Sequence, residues 1–281
     1  MHPAMMVVVW QGMRMNLRSD STSIRARRVA LLFALCVSVT TLPTPYADPA
    51  PVVTQLRPTV LAELTHDPSA FTEGLALDGT SLYESTGLAG HSELRELDPA
   101  TGSLRRAAAL PPDYFGEGIA VVGDRIWQLT YRNGVAIEWD RASLTRLREV
   151  PLAGEGWGLC RDGDHLIRSD GTARLHIHEP GDLRETGSIT VTLNGIELSG
   201  LNGLDCSAGQ IWANVFPTNQ IVRIDAATGV VQAVADIEGL LDPQYRDNVH
   251  VLNGITHVDD TQFLITGKDW PHLFRVTFDP A

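Results

Sequence analysis

Gly116-Glu117-Gly118 sets a carboxylate between two glycines, just before the apolar run Ile119-Ala120-Val121-Val122. Glycine on both sides tolerates tight paths and close backbone approach, so the Glu117 side chain can be displayed at a strand entrance. A carboxyl held there can trade protons with a ligand or simply cap the strand, and both readings stand on the residues alone. A second candidate is Lys268, the one lysine beside 21 arginines. Where arginine serves as every other cation, one compact ammonium with rotatable donors suits a site; a chance survivor on a loop is the bland alternative. Trp157, between Gly156 and Gly158, can stack on a ligand or fill a core. His66, His91 and His257 show no ligand spacing, so no metal is expected.

The elements that would have to position these residues repeat. Phe71-Thr72-Glu73-Gly74-Leu75, Glu117-Gly118-Ile119, Trp157-Gly158-Leu159, Asn202-Gly203-Leu204 and Asn253-Gly254-Ile255 share a glycine followed by an aliphatic residue, at spacings of 44, 40, 45 and 51. Thirteen residues after each glycine lie Gly87, Tyr131, Gly171, Phe216 and Gly267, each closing a second short apolar stretch. Four short strands per repeat of this length predict an all-β, five-bladed β-propeller. The strand beginning at Thr59 has no partner nearby and the last repeat has room for three strands, so the N-terminal strand is expected to complete the last blade and leave no open edge. Acidic turns close the third strands at Asp98, Asp140, Glu179 and Asp225, where a carboxylate can bond its own turn backbone.

In such a fold the entrance of a first strand lies beside the exit of the second. Glu73, Glu117, Trp157, Asn202 and Asn253 at the entrances, with Thr86, Tyr131, Asp170, Asn214, Phe216 and Lys268 at the exits, would then converge on one end of the central funnel. Carboxylates, amides, aromatics and an ammonium suit a small polar ligand held against apolar walls.

Residues 1–47 read as a signal peptide. Arg25, Arg27 and Arg28 precede an apolar stretch from Val29 to Val39, with a small-residue cut near Ala47, and that stretch is too short to span a bilayer. Residues 48–57 read as a loose Pro-rich lead-in, and 58–281 as the propeller. Removal of the first 47 residues, with five Arg and one Asp, takes the formal charge from −12 to −16, which argues against nucleic-acid binding. An exported protein, periplasmic or secreted, with no membrane attachment after processing, is expected as a monomer. Cys160 and Cys206 would remain; period-two alternation aims them at opposite faces of neighbouring sheets, which favours two buried thiols over a disulfide.

The chain resembles the glutaminyl cyclases (glutaminyl-peptide cyclotransferases) of plant and bacterial type over residues 58–278. The resemblance is carried by His66-Asp67-Pro68 with Phe71-Thr72-Glu73-Gly74-Leu75, Tyr114-Phe115-Gly116-Glu117-Gly118, Gly156-Trp157-Gly158-Leu159, Ser169-Asp170-Gly171-Thr172, Ala213-Asn214-Val215, Leu252-Asn253-Gly254-Ile255 and Thr266-Gly267-Lys268. It implies cyclisation of an N-terminal glutaminyl residue of a peptide or protein to pyroglutamyl, with loss of ammonia and no cofactor. It implies Glu117 as the acid/base carboxyl, with Lys268 or Asn202 stabilising the tetrahedral oxygen. Phe71, Glu73, Phe115, Tyr131, Trp157, Asn214 and Phe216 would bind substrate. Four departures bear on the pocket: Tyr131 and Phe216 stand where the plant pattern has tryptophans, Glu73 where it has glutamine, and Asn202-Gly203-Leu204-Asp205 where Asn-Glu-Leu-Glu is expected. The rival readings are a metal-dependent lactonase-like propeller, with oxygens from Glu73, Asn202, Asn253 and Asp170, and a non-catalytic peptide-binding propeller.

Overall fold

A computed structural model describes residues 52–242, 251–259 and 261–281. The expected signal peptide lies outside them. Among the described residues the regular structure is all strand, and no helix is long and apolar enough to cross a membrane.

β1 (Thr54–Thr65) is followed by β2 (Thr72–Asp78), β3 (Ser81–Thr86), β4 (Glu93–Leu97) and β5 (Leu104–Ala109), which form one four-stranded antiparallel sheet in chain order. β6 (Gly116–Val122), β7 (Arg125–Thr130), β8 (Val135–Asp140) and β9 (Thr145–Pro151) form a second such sheet. The third consists of β10 (Leu159–Asp162), β11 (His165–Arg168), β12 (Arg174–His178) and β13 (Glu185–Thr190). A small hairpin follows, β14 (Thr192–Leu193) with β15 (Ile196–Glu197).

The remaining strands join one eight-stranded sheet. Half of it is β16 (Leu201–Ser207), β17 (Gln210–Val215), β18 (Gln220–Asp225) and β19 (Val231–Asp236). The other half is β20 (Leu252–His257), β21 (Gln262–Gly267) and β22 (His272–Pro280), completed by β1. β1 runs antiparallel to β22 from Leu56 opposite Pro280 to Thr65 opposite His272. It is also parallel to β19 from Thr54 to Leu56. The N-terminal strand thus begins earlier than the sequence suggests, and residues 54–57 are sheet rather than loose lead-in. Leu56 explains the extension: it is buried among Trp212, Ala233, Phe274 and Val276, and the ladder to β19 satisfies backbone groups that would otherwise stay open at its start.

Alternation places apolar residues on both faces of the middle strands, so each sheet packs on its neighbours through a separate core. Leu94, Ile119, Ile126 and Ile137 join the first two sheets, and Leu129, Ala136, Leu159 and Leu166 the second and third. Leu75, Leu82 and Leu97 meet Leu264 and Leu273, so the last strands of the chain pack on the first sheet. Side chains such as Leu82, Leu94 and Leu166, with no exposed surface, each contribute about 1.5–3 kcal/mol by burial.

Asp98 accepts from the amides of Ala100 and Thr101, Asp140 from that of Ser143, and Asp225 from those of Ala227 and Thr228. Those acidic residues are turn-makers. Cys160 and Cys206 form a disulfide, with Cα atoms 5.5 Å apart, which corrects the expectation of free thiols. Equivalent sheets stacked side by side present opposite faces to one another, so side chains on opposite faces of β10 and β16 meet rather than diverge.

Candidate active site

Four of the first strands carry a β-bulge at the entrance. The register slips between Thr72 and Gly74, Gly116 and Ile119, Leu201 and Leu204, and Leu252 and Ile255. A bulge sets two residues against one and re-aims a side chain. The side chains so released are Glu73, Glu117, Asn202 and Asn253. All four are buried, at 1%, 5%, 3% and 0% exposure, too deep for a polar group without a partner or ligand. The glycines in these bulges are required by close backbone packing: a Cβ on Gly74 would lie 2.9 Å from Gly118 Cα, and one on Gly118 would lie 2.5 Å from the Leu159 amide nitrogen.

Side chains from distant strands meet above this glycine floor. Lys268 Nζ is 2.8 Å from Glu73 Oε1, and Asn253 Nδ2 donates to Glu73 Oε2 at 2.6 Å. The Glu73 and Glu117 carboxyls line the same cavity and act on each other's proton affinity. Burial pushes the Glu73 carboxyl up to about 7, against the opposing pull of Lys268 and Asn253. Burial, and then the Glu73 charge, push Glu117 well above the ordinary carboxylate range, with Lys268 opposing. Two buried carboxyls beside one cation cannot both stay ionised, so the pair holds a proton at neutral pH.

Aromatic rings wall the cavity, whose volume is about 290 Å³. Phe71 meets Phe115 edge-on at 6.1 Å, Phe115 lies 5.8 Å from Tyr131, and Trp157 meets Phe216 edge-on at 5.8 Å. Lys268 Nζ sits 4.7 Å from the centre of the Phe71 ring and 5.7 Å from that of Phe216. The exit glycines make room for two of the walls: a Cβ on Gly87 would meet the Phe115 ring at 2.5 Å, and one on Gly171 the Trp157 ring at 2.7 Å. Asn202 lines the cavity with its Oδ1 buried and without a hydrogen-bond partner. Such an acceptor costs about 1–3 kcal/mol unless a ligand donates to it.

A carboxyl pair, an ammonium, an open amide acceptor and an apolar cage thus share one cavity. Residues 31–278 fit the sequence model of the family described as Glutamine cyclotransferase. The chain belongs to the glutamine cyclotransferase family. It is similar to a glutaminyl-peptide cyclotransferase of Arabidopsis thaliana, 36% identical over 229 residues that span 79% of this chain and 71% of the relative. It is also similar to the crystal structure of the Myxococcus xanthus glutaminyl cyclase, with TM-score 0.76 and 33% identity over 82% of this chain and 100% of that one.

In this member of the family, nine residues singled out in the sequence line the one cavity: Phe71, Glu73, Phe115, Glu117, Tyr131, Trp157, Asn202, Phe216 and Lys268. Asn214 stands apart. Its Oδ1 accepts from the Gly254 amide at 3.1 Å, which braces the β20 bulge. Thr86 accepts from the Glu93 amide, and Asp170 is held by Thr172 and His176. Asp170 is therefore committed away from the oxygen donors that the metal-dependent reading grouped it with. Asn253, given no role in the cyclase reading, proves to be the direct partner of Glu73, and its Oδ1 accepts from the Gly203 amide at 3.3 Å. Glu155 was missed. Its carboxylate accepts from Trp157 Nε1 at 3.0 Å and from Arg132 Nε at 2.7 Å. The Gly154-Glu155-Gly156 triplet, which repeats the glycine bracketing of Glu117, was the available signal.

Proposed function

We propose that this chain is a glutaminyl-peptide cyclotransferase: it cyclises the N-terminal glutaminyl residue of peptides to pyroglutamyl and releases ammonia, on a five-bladed propeller completed by β1. The observation that carries the reading is the buried Glu73–Glu117 pair, which keeps a proton beside a single cation at the bottom of an aromatic cage.

The attacking group is the substrate's own α-amine, whose pKa of about 7.7–8.0 already leaves part of it neutral near pH 7. The barrier lies in folding the flexible side chain back and in protonating the departing nitrogen. Phe71, Phe115, Tyr131, Trp157 and Phe216 favour the compact conformer, which is catalysis by proximity. As the α-nitrogen bonds to the side-chain carbonyl carbon, Glu117 gives its proton to the amide nitrogen and takes up the one shed by the α-amine. The C–N bond to that nitrogen then breaks and ammonia leaves, with the carboxyl pair's proton inventory restored. Such acid–base relay is worth typically ~10²–10⁴-fold. Lys268, which lines the same cavity, stabilises the tetrahedral oxygen in this reading. The open Asn202 Oδ1 accepts from a substrate N–H, a use that fits its unpartnered acceptor better than a second oxyanion contact.

Export is part of the reading, supported by the Arg-led apolar segment of residues 1–47 and by the disulfide, which persists in oxidising compartments. The mature protein acts as a monomer in this reading. Incubation with a Gln-initiated peptide should produce a product lighter by one ammonia, with undiminished rate after exhaustive chelation. Saturable peptide binding without ammonia release would remove the reading.

A further inference from the structure

Two of the cavity's aromatic walls, Trp157 and Tyr131, are tied together by a carboxylate outside it. Glu155 Oε2 accepts from the Trp157 indole N–H, and Oε1 from the Arg132 guanidinium at 2.7 Å. That guanidinium lies 4.5 Å over the Tyr131 ring, and Tyr131 tilts onto Phe115. The backbone already joins these loops, since the Gly156 amide donates to the carbonyls of Thr130 and Tyr131. The side chains settle something else, the angle of each ring. Arg168, 2% exposed, anchors the turn from below by donating to the Glu155 carbonyl. The turn is thus held by its backbone, and the Glu155 carboxylate goes to two neighbouring walls.

Resting on the cyclotransferase reading, we infer that Glu155 is a positioning residue that sets the width of the substrate cage by fixing Trp157 directly and Tyr131 through Arg132. It acts on substrate fit more than on the chemical step. The same carboxylate also acts electrostatically on Glu117. The charged groups acting on Glu117 are Glu73, Lys268 and Glu155, with Glu155 raising its proton affinity; those acting on Glu155 are Arg132 and Asp170. Glu155 therefore influences fit and proton affinity by separable means.

The test compares Glu155→Ala, Glu155→Gln and Arg132→Gln with the parent on one Gln-initiated peptide across pH. Loss of hydrogen bonds to a charged acceptor is expected to raise KM roughly tenfold in Glu155→Ala, with kcat changed by less than about threefold. Glu155→Gln keeps one acceptor oxygen and should recover part of the KM loss. Both Glu155 variants lose the charge, so both should move the alkaline limb of kcat/KM to lower pH by the same amount. Arg132→Gln should raise KM without that downward move. Tryptophan emission, referenced to Trp157→Phe, should change in Glu155→Ala and stay close to the parent in Arg132→Gln. An unchanged KM together with unchanged emission in Glu155→Ala overturns the inference, as does an equal loss of kcat and kcat/KM. If Glu155→Ala does not fold, the isosteric Glu155→Gln decides by the same readouts. A parent that releases no ammonia defeats the cyclotransferase reading instead, and the emission comparison then decides the wall tie alone.

Discussion

Two buried acid clusters share the first sheet and behave in opposite ways. Thr72 and Glu73 are consecutive, yet they serve different clusters. Glu84, with no exposed surface, accepts from Thr72 Oγ1 at 2.7 Å and Arg95 Nη1 at 3.3 Å and contacts His66 Nε2 at 2.8 Å. Burial pushes its carboxyl up, but His66, Arg95 and Thr72 outweigh that and hold it below the ordinary range. Glu117 is similarly deep, has no cation of its own and faces a second carboxyl, so the same burial raises it. Burial alone therefore does not decide whether a carboxyl is structural; the number of committed donors does. The saturated cluster also serves the other one. His66 Nδ1 contacts the Trp270 carbonyl at 2.6 Å, and the His66 amide donates to the Pro271 carbonyl, which fixes the turn that carries Lys268.

The largest expected effect separates the clusters by what is lost. Glu117→Gln should keep the fold and lose at least about a hundredfold in kcat, whereas near-parent turnover would leave the two clusters chemically alike. Glu84→Gln should act on stability: it takes the carboxylate from buried His66 and leaves Arg95 with Asp67 and Glu93, at a cost of about 1.5–3 kcal/mol, read from urea unfolding. A stable Glu84→Gln would break the comparison from the other side.

Next in size is the pH dependence of stability. Glu73 has its carboxyl raised from 4.5 to about 7, and Glu117 is raised as well. A folded-state value above the unfolded one favours the native protein while the group is protonated, so this contribution is complete below about pH 4.5 and is lost as pH rises through about 7. Glu84 runs the other way: its contribution is present above the ordinary carboxylate value and is lost as pH falls through its lowered one. Melting temperature across pH should therefore fall on both sides, and Glu117→Gln should flatten only the neutral-side fall. The smallest effect is Thr72→Val, which removes one of Glu84's donors and should cost about 1 kcal/mol in unfolding experiments. No change there would mean that Glu84 is satisfied by His66 and Arg95 alone.

Much of the site was legible because local chemistry marked it. Glu117 and Trp157 stand between glycines, and Lys268 is the sole lysine. What stayed hidden depended on where strands from different sheets meet. The entrance glycines were visible as a period, but not as bulges, because a bulge is a property of two strands in register rather than of one. Asn214 shares the ring period yet accepts from the Gly254 backbone amide and does not line the cavity. The Cys160–Cys206 bond was misjudged because alternation was followed within each strand without the face-to-face stacking of neighbouring sheets.

By itself the sequence determined the strand-rich repeat and the residue types that a proton-transfer pocket needs, since period, apolar alternation and glycine placement are local properties of the chain. Only the tertiary structure decided that Glu73 and Glu117, 44 residues apart, are raised together while Glu84 is lowered. Proton affinity depends on which charges close in through space at low dielectric, and no spacing along the chain encodes that.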